Sequence, residues 1–522
     1  MALKRVLDYR ERTLLLIAIA TLIRLIVGSV LELGSAEVYY WTYSLHLQWN
    51  YFDHPPLVAW LIRLTTADLL LHQELFVRLG AIISSAICTW LIFKIGTAVS
   101  SQQTGWFAGL LYTASLYGSI IAGTFILPDS PQMVFWLAGL LVLIKISQAA
   151  VYDSKSTWQW CLFGILSGLC IMSKVHGIFL WIGVVLYALW AKRSWLKHPG
   201  IYLSAVITLI LISPIVIWNL QHDFITYKFH SGRVSLTGAS VHIKGFIREF
   251  IAVVLTTNPV NFYLTWSSLI WVFRRKMTAE RREIQLLLFC SLPLIVVLLY
   301  ISLFRETLPH WPGPAYSCLI ILPAMKLASA VKPERNPFPN RIKWALTYTL
   351  LMVILAILIT NYYPGTLSTH KDGIDIGKGD LTLDMYGWQE AGQKFDSLYR
   401  SDVRNKIMPF GAPIIITNWI PAAHIDYYIA GRTGQETLAM GSVLDLHQYY
   451  WTNSFKKPLK NGDNAYFIVA SDLFNYKTFD LVTNSFMRYQ MPLVIPELRG
   501  GIICKQFYVF RMIGYRVNSA FR

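Results

Sequence analysis

The sequence predicts a polytopic α-helical membrane protein, about 11 transmembrane helices followed by a C-terminal α/β domain. Three observations predict it. The 522 residues are 55% hydrophobic and only 14% charged, well under the roughly 25% charged of an average soluble domain. Apolar runs long enough to cross ~30 Å of hydrocarbon recur from residue 13 to residue 362. From Tyr363 onward the pattern changes to strand-like alternation and amphipathic helix.

The spans are expected at 13–31, 75–93, 105–122, 132–150, 158–172, 176–191, 201–218, 259–273, 284–303, 314–330 and 343–362. The first is too long for a signal-peptide core and lacks a small-residue cleavage site, so it is expected to be retained. Between the first two spans, residues 32–74 form a long loop carrying interfacial helices, with Tyr and Trp frequent as in a membrane-surface segment. In the tail, strands are expected at 412–419, 465–471 and 507–515, and a helix at 384–399. The chain thus divides into a transmembrane domain, 1–362, and a soluble α/β domain, 363–522, long enough for its own core.

Charge sets the orientation. Lys4, Arg5, Arg10 and Arg12 precede the first span, and Lys192, Arg193 and Lys197 form a second cluster. Residues 274–283 are a third, and Lys326, Lys332, Arg335, Arg341 and Lys343 a fourth. Basic loops stay in the cytoplasm, so the N-terminus is expected inside a bacterial inner or plasma membrane. The net charge of +17 is then topology and excludes a nucleic-acid partner. Eleven spans place 32–74, 125–131, the turn at Lys174, 219–258, 304–313 and the tail on the outer face. Every motif-like loop falls there. The six cysteines show neither metal-ligand spacing nor a disulfide framework.

The outer loops carry the chemistry. Glu37 and Asp53 stand near the bilayer boundary, where ionisable groups are costly and are usually paired or functional. "YFDHPP" adds His54 to Asp53 on a stiff turn that suits a phosphate or a metal. In "LPDSPQ", Asp129 lies between two prolines; it is either a site carboxylate or the cap of the following helix. "FRETLPHW" offers Arg305, Glu306 and His310, with a structural Arg–Glu pair as the plainer reading. Lys174 and His176 flank a tight turn, where a lysine also snorkels, and Lys228 and Arg233 read as solvated. Together these groups suit transfer from a lipid-linked phosphate: cations stabilise the departing phosphate, a carboxylate acts as base, and aromatics stack on sugar. No P-loop or dinucleotide fingerprint is present, which argues against a cytoplasmic nucleotide donor.

These motifs resemble the family 39 and 83 glycosyltransferases of the GT-C class, which include protein O-mannosyltransferases and lipid A aminoarabinose transferases. The likeness is carried by "EVYYW", "YFDHPPLVAW", "LPDSPQMVFW", "GLCIMSKVHG", "IWNLQHDF", "RETLPHWPGPAY" and "NWIPAAHIDYYI". It implies an enzyme of GT-C fold that takes a hexose or pentose from a polyprenyl monophosphate outside the inner membrane, with inversion. The acceptor would be lipid A, another glycolipid or protein. It further implies that Glu37 and Asp129 are catalytic. His54, Lys174, Arg305, His310, Tyr39 and Tyr40 would contact the donor phosphate or substrate. Asp53 would be a metal-near acid, so a divalent metal is the one cofactor the resemblance allows.

One position departs from the family pattern. Where the family has Asp-Glu, this chain has Ala36-Glu37. On a helix, neighbours point ~100° apart, so Glu37 does not inherit the missing geometry. Three readings follow. Glu37 or Asp129 supplies the base, the acceptor is a phosphate that needs none, or the chain is a weak carrier-binding relative. A transporter or flippase of lipid-linked sugar is the rival from another class, and it would place ionisable groups deep inside the spans.

Overall fold

The computed structural model describes residues 7–149, 154–235, 240–277, 281–330 and 338–517. Lys4, Arg5, Lys332 and Arg335 of the basic clusters lie outside the described residues. By Cα packing the chain forms two units, one of residues 1–28 and 48–353, the other of 29–47 and 354–522.

Each expected span falls on a helix of this structure. Among the described residues, seven helices are long and apolar enough to cross a membrane: Tyr9–Val30, Glu74–Val99, Asp129–Gln148, Pro199–Gln221, Arg282–Ser302, Gly313–Ala330 and Asn340–Tyr362. The other four expected spans are helical but shorter, interrupted or more polar. Helix Pro259–Arg274 has 16 residues. The expected span 105–122 is broken: an α-helix ends at Thr113 and a π-helical turn follows at Tyr117–Ile121. The supposed loop 219–258 holds two helices, Ile225–Val234 and Ile243–Thr257.

In the first unit, helix Ser154–Ser173 packs against Asp129–Gln148 and Pro199–Gln221. Lipid gives no hydrophobic drive between helices, so close backbone approach does the work. Gly164 shows this: a Cβ there would lie 2.6 Å from the Ser204 carbonyl oxygen. The core includes Trp136, Leu140, Trp160, Leu180, Leu287 and Cys318.

The second unit is built on a six-stranded sheet. Its strands are β1 (Ile414–Ile416), β2 (Thr437–Ala439), β3 (Ala465–Ala470), β4 (Phe486–Tyr489), β5 (Leu493–Arg499) and β6 (Ile502–Tyr515). The order is β2-β1-β3-β6-β4, with β5 also on β6. β1 runs parallel to β2 and β3, while β6 is antiparallel to β3, β4 and β5. The strand expected over 412–419 stops at Ile416, because Asn418 caps helix Trp419–His424 through the Ile420 N–H, 3.0 Å. Helix Trp388–Arg404 buries Trp388, Ala391, Phe395, Tyr399 and Asp402, spacing that keeps one face on the core. Asp402 joins this helix to the sheet. It accepts from Tyr466 Oη at 2.9 Å and from Arg511 Nε and Nη2 at 2.6 and 2.7 Å.

Helix Ser35–Leu45 belongs to this second unit, and its aromatics are packed inside rather than displayed at a membrane surface. Tyr39, Tyr40, Trp41 and Tyr43 are all buried. Tyr39 lies 4.8 Å from the Trp419 ring and its hydroxyl accepts the Gln448 N–H at 3.2 Å. Trp41 meets Tyr427 edge-on at 4.9 Å.

Candidate active site

A buried ion pair of the first unit centres on Asp129, the first residue of helix Asp129–Gln148. The carboxylate is 1% exposed. Lys174 Nζ donates to Oδ2 at 2.7 Å and Tyr117 Oη to Oδ1 at 3.1 Å. The capping reading therefore fails: both oxygens are engaged by side chains, and no cap bond is made at this helix start. Snorkelling fails for Lys174 as well, since it is buried against Asp129. Its position is set by the end of helix Ser154–Ser173 and the 3-10 turn Val175–Gly177, and Gln132 Nε2 donates to its carbonyl at 3.4 Å.

Three histidines complete the cluster. His310 Nε2 stands 3.9 Å from Asp129 Oδ2. His54 is close enough to Asp129 and Lys174 for both charges to act on it. His176, 5.5 Å from the Trp311 ring, has a buried Nδ1 with no hydrogen-bond partner among the described residues. Burial, reinforced by the Lys174 ammonium, pushes His310 down to about 4. His54 is also held at about 4, chiefly by burial and against the pull of Asp53. Both imidazoles are neutral at pH 7. An incoming anion meets one ammonium, already shared with Asp129, and two imidazoles that can take up protons.

His54 also lines a cavity, together with Asn50, Asp53 and His230 and with the apolar Ile171, Ile212, Ile215 and Val216. His230 Nε2 is bonded to the Asp53 carbonyl at 2.7 Å. Among the described residues, no group of three or more His, Cys, Asp or Glu side chains is arranged to hold a metal ion.

Of the other sequence-predicted residues, Arg305 is engaged elsewhere, its Nε donating to the Ser235 carbonyl at 2.7 Å. Glu306 pairs with Arg248 at 2.5 Å, not with Arg305, and both are exposed, so the pair contributes little. Glu37, Tyr39 and Tyr40 belong to the second unit. There Glu37 Oε2 accepts the Gly34 N–H at 3.1 Å at the start of its helix, half of a capping box.

Sequence reasoning missed Tyr117, Gly313 and Arg24. Tyr117 reaches Asp129 because it sits on a π-helical turn, a local irregularity that often marks functional sites. Gly313 clears its path: a Cβ there would lie 2.3 Å from the Tyr117 ring. Arg24, buried in the first helix, donates from Nε to the Ser119 carbonyl and from Nη2 to Ser119 Oγ, each at 3.2 Å. Arg78, buried in the second, donates to the Gly28 carbonyl at 3.0 Å. Ionisable groups therefore lie inside two of the expected spans as well as in the loops. Arg24 braces the turn that carries Tyr117; the available signal was an arginine in an otherwise apolar helix.

Comparison with known proteins agrees with this architecture. Residues 53–218 match the family model described as dolichyl-phosphate-mannose-protein mannosyltransferase. The lipid A galacturonosyltransferase RgtD of Rhizobium johnstonii is 22% identical over 289 residues, 55% of this chain and 59% of that one. The alignment thus spans under two thirds of that relative. Among solved structures, ArnT from Cupriavidus metallidurans, in the apo state and bound to undecaprenyl phosphate, is similar over 95% of this chain and 97% of that one. The TM-score is 0.60 and the identity 14%. This is an integral membrane protein with the GT-C fold. Within that fold, it is similar to ArnT over nearly its whole length.

Proposed function

We propose that this chain is an integral-membrane glycosyltransferase that moves a sugar from a polyprenyl monophosphate to an envelope glycolipid. The observation that carries the reading is the buried Asp129–Lys174 pair, with Tyr117, His310 and His54 around it, beside a cavity lined by both polar and apolar side chains. Such a cavity suits a phosphate joined to an isoprenoid chain. The match to ArnT, solved with undecaprenyl phosphate, supports the donor class, and the likeness to a lipid A galacturonosyltransferase supports a lipid acceptor.

The chemistry follows from the charges. In the resting site the Lys174 ammonium is matched by Asp129, which makes that carboxylate a poor base. A donor phosphate draws the ammonium toward itself. The bond between the sugar's anomeric carbon and the phosphate oxygen breaks, and Lys174 stabilises the charge that develops on the phosphate. The acceptor hydroxyl attacks from the opposite face, giving inversion, and Asp129 accepts its proton. Tyr117 holds the second carboxylate oxygen. Glu37 serves its own helix start. No step runs through a metal.

The basic clusters favour a cytoplasmic N-terminus and an outward-facing site. Mass spectrometry of envelope glycolipids with and without this gene tests the function. A sugar lost from lipid A or another glycolipid supports it; an unchanged glycolipid profile opposes it.

A further inference from the structure

The second unit has a cavity of its own, and its place in the sheet is informative. After β1 the chain goes on to β2 on one side; after β3 it goes on to β4 and β6 on the other. Adjacent parallel strands whose onward connections leave in opposite directions open a crevice beyond their carboxyl ends, where open α/β sheets bind ligands. The cavity lies there. It is lined by Thr417 and Asn418 just past β1, by Phe467 and its neighbours in β3, and by Asn475 beyond β3.

The lining chemistry selects the ligand. Asn418 and Asn475 each use Oδ1 to accept a backbone N–H, from Ile420 at 3.0 Å and Lys477 at 2.9 Å. That leaves each amide NH2 as a donor. Asp445 uses Oδ2 to accept from Ser442 Oγ at 2.6 Å, and its other oxygen is an acceptor. The Thr417 hydroxyl both donates and accepts. Among the described residues no Lys, Arg or His lines the cavity, so a phosphate or carboxylate ligand would face Asp445 with no lining cation to offset it. Apolar side chains of Ile420 and Phe467 leave a floor for C–H surface.

We infer that the crevice beyond β1 and β3 binds a neutral, hydroxyl-rich ring, a sugar residue. This stands whether or not the Asp129 site transfers a sugar.

The test is saturation-transfer difference NMR on the full chain in nanodiscs. The probes are methyl mannoside, methyl glucoside, methyl galactoside and galacturonate. The chain carries Asp129→Asn throughout, so that the first unit's site is altered equally in every sample. At least one neutral glycoside receives saturation, and galacturonate receives less. Asn475→Ser keeps an oxygen for the helix cap but removes the NH2, and Thr417→Val removes the hydroxyl at nearly constant shape. Each lowers affinity about fivefold, the loss of one hydrogen bond. The inference is overturned if no neutral glycoside receives saturation, if galacturonate binds as well as the neutral sugars, or if neither variant weakens binding.

Discussion

Phosphate entering the Asp129 cluster should bring protons with it. His54 and His310 are held at about 4, so neither carries charge at pH 7. A unit negative charge ~4 Å from an imidazole, at an effective dielectric near 20, favours its protonated form by ~4 kcal/mol. That is ~3 pK units, enough to lift His310 from about 4 to the neutral range. The assay is calorimetry of undecaprenyl phosphate binding at pH 7.5 in two buffers of different ionisation enthalpy, where the free phosphate is mainly dianionic. About a quarter of a proton should be taken up at pH 7.5 by each imidazole so lifted, more at lower pH, and affinity should rise as pH falls. His310→Gln should remove the share of the uptake that falls on His310. Equal binding enthalpies in the two buffers would refute the reasoning. The same depression sets stability without ligand. The unfolded chain binds more protons than the folded one between about pH 6.5 and 4. Unliganded protein therefore loses stability as pH falls through that window, by up to about 3 kcal/mol for each histidine.

Three further predictions concern the fold and the site. Gly313→Ala places a methyl 2.3 Å from the Tyr117 ring and should displace it from Asp129, lowering transfer by about tenfold or more for the lost bond to a charged group; initial rates beside a thermal melt check this. Asp402→Ala leaves Arg511 and Tyr466 without their shared acceptor and should destabilise the second unit by about 3–5 kcal/mol, read by denaturant melts of tail fluorescence. A periplasmic reporter fused after Arg522 or within 219–258 should be active, and one within 274–283 inactive; the reverse pattern would overturn the outward-facing assignment.

The sequence made the helices legible because span length and apolarity are local properties, and so were Asp129, Lys174, His54 and His310 as candidates in the loops between them. What it concealed is non-local or irregular. Nothing in the alternation around Asp402 announces Arg511, 109 residues away. The 105–122 run is mostly apolar and carries no charge, so composition reads one span and misses the π-helical turn that aims Tyr117. The aromatic stretch after the first span has the composition of a membrane-surface helix. Its partners are Trp419, Tyr427 and Gln448, far along the chain. Arg305 and Glu306 are neighbours in sequence, yet one turns to a backbone carbonyl and the other to Arg248.

The central claim is that the Asp129 cluster transfers a sugar from a polyprenyl phosphate. Single-turnover transfer from labelled polyprenyl-phosphate sugars to membrane glycolipid, by the purified chain and its Asp129→Asn and Lys174→Met variants, tests it most directly. The account predicts transfer with at least one donor, reduced about 10²–10⁴-fold by Asp129→Asn and comparably by Lys174→Met, with the variants still folded. No transfer from any donor, or full transfer by both variants, would contradict it.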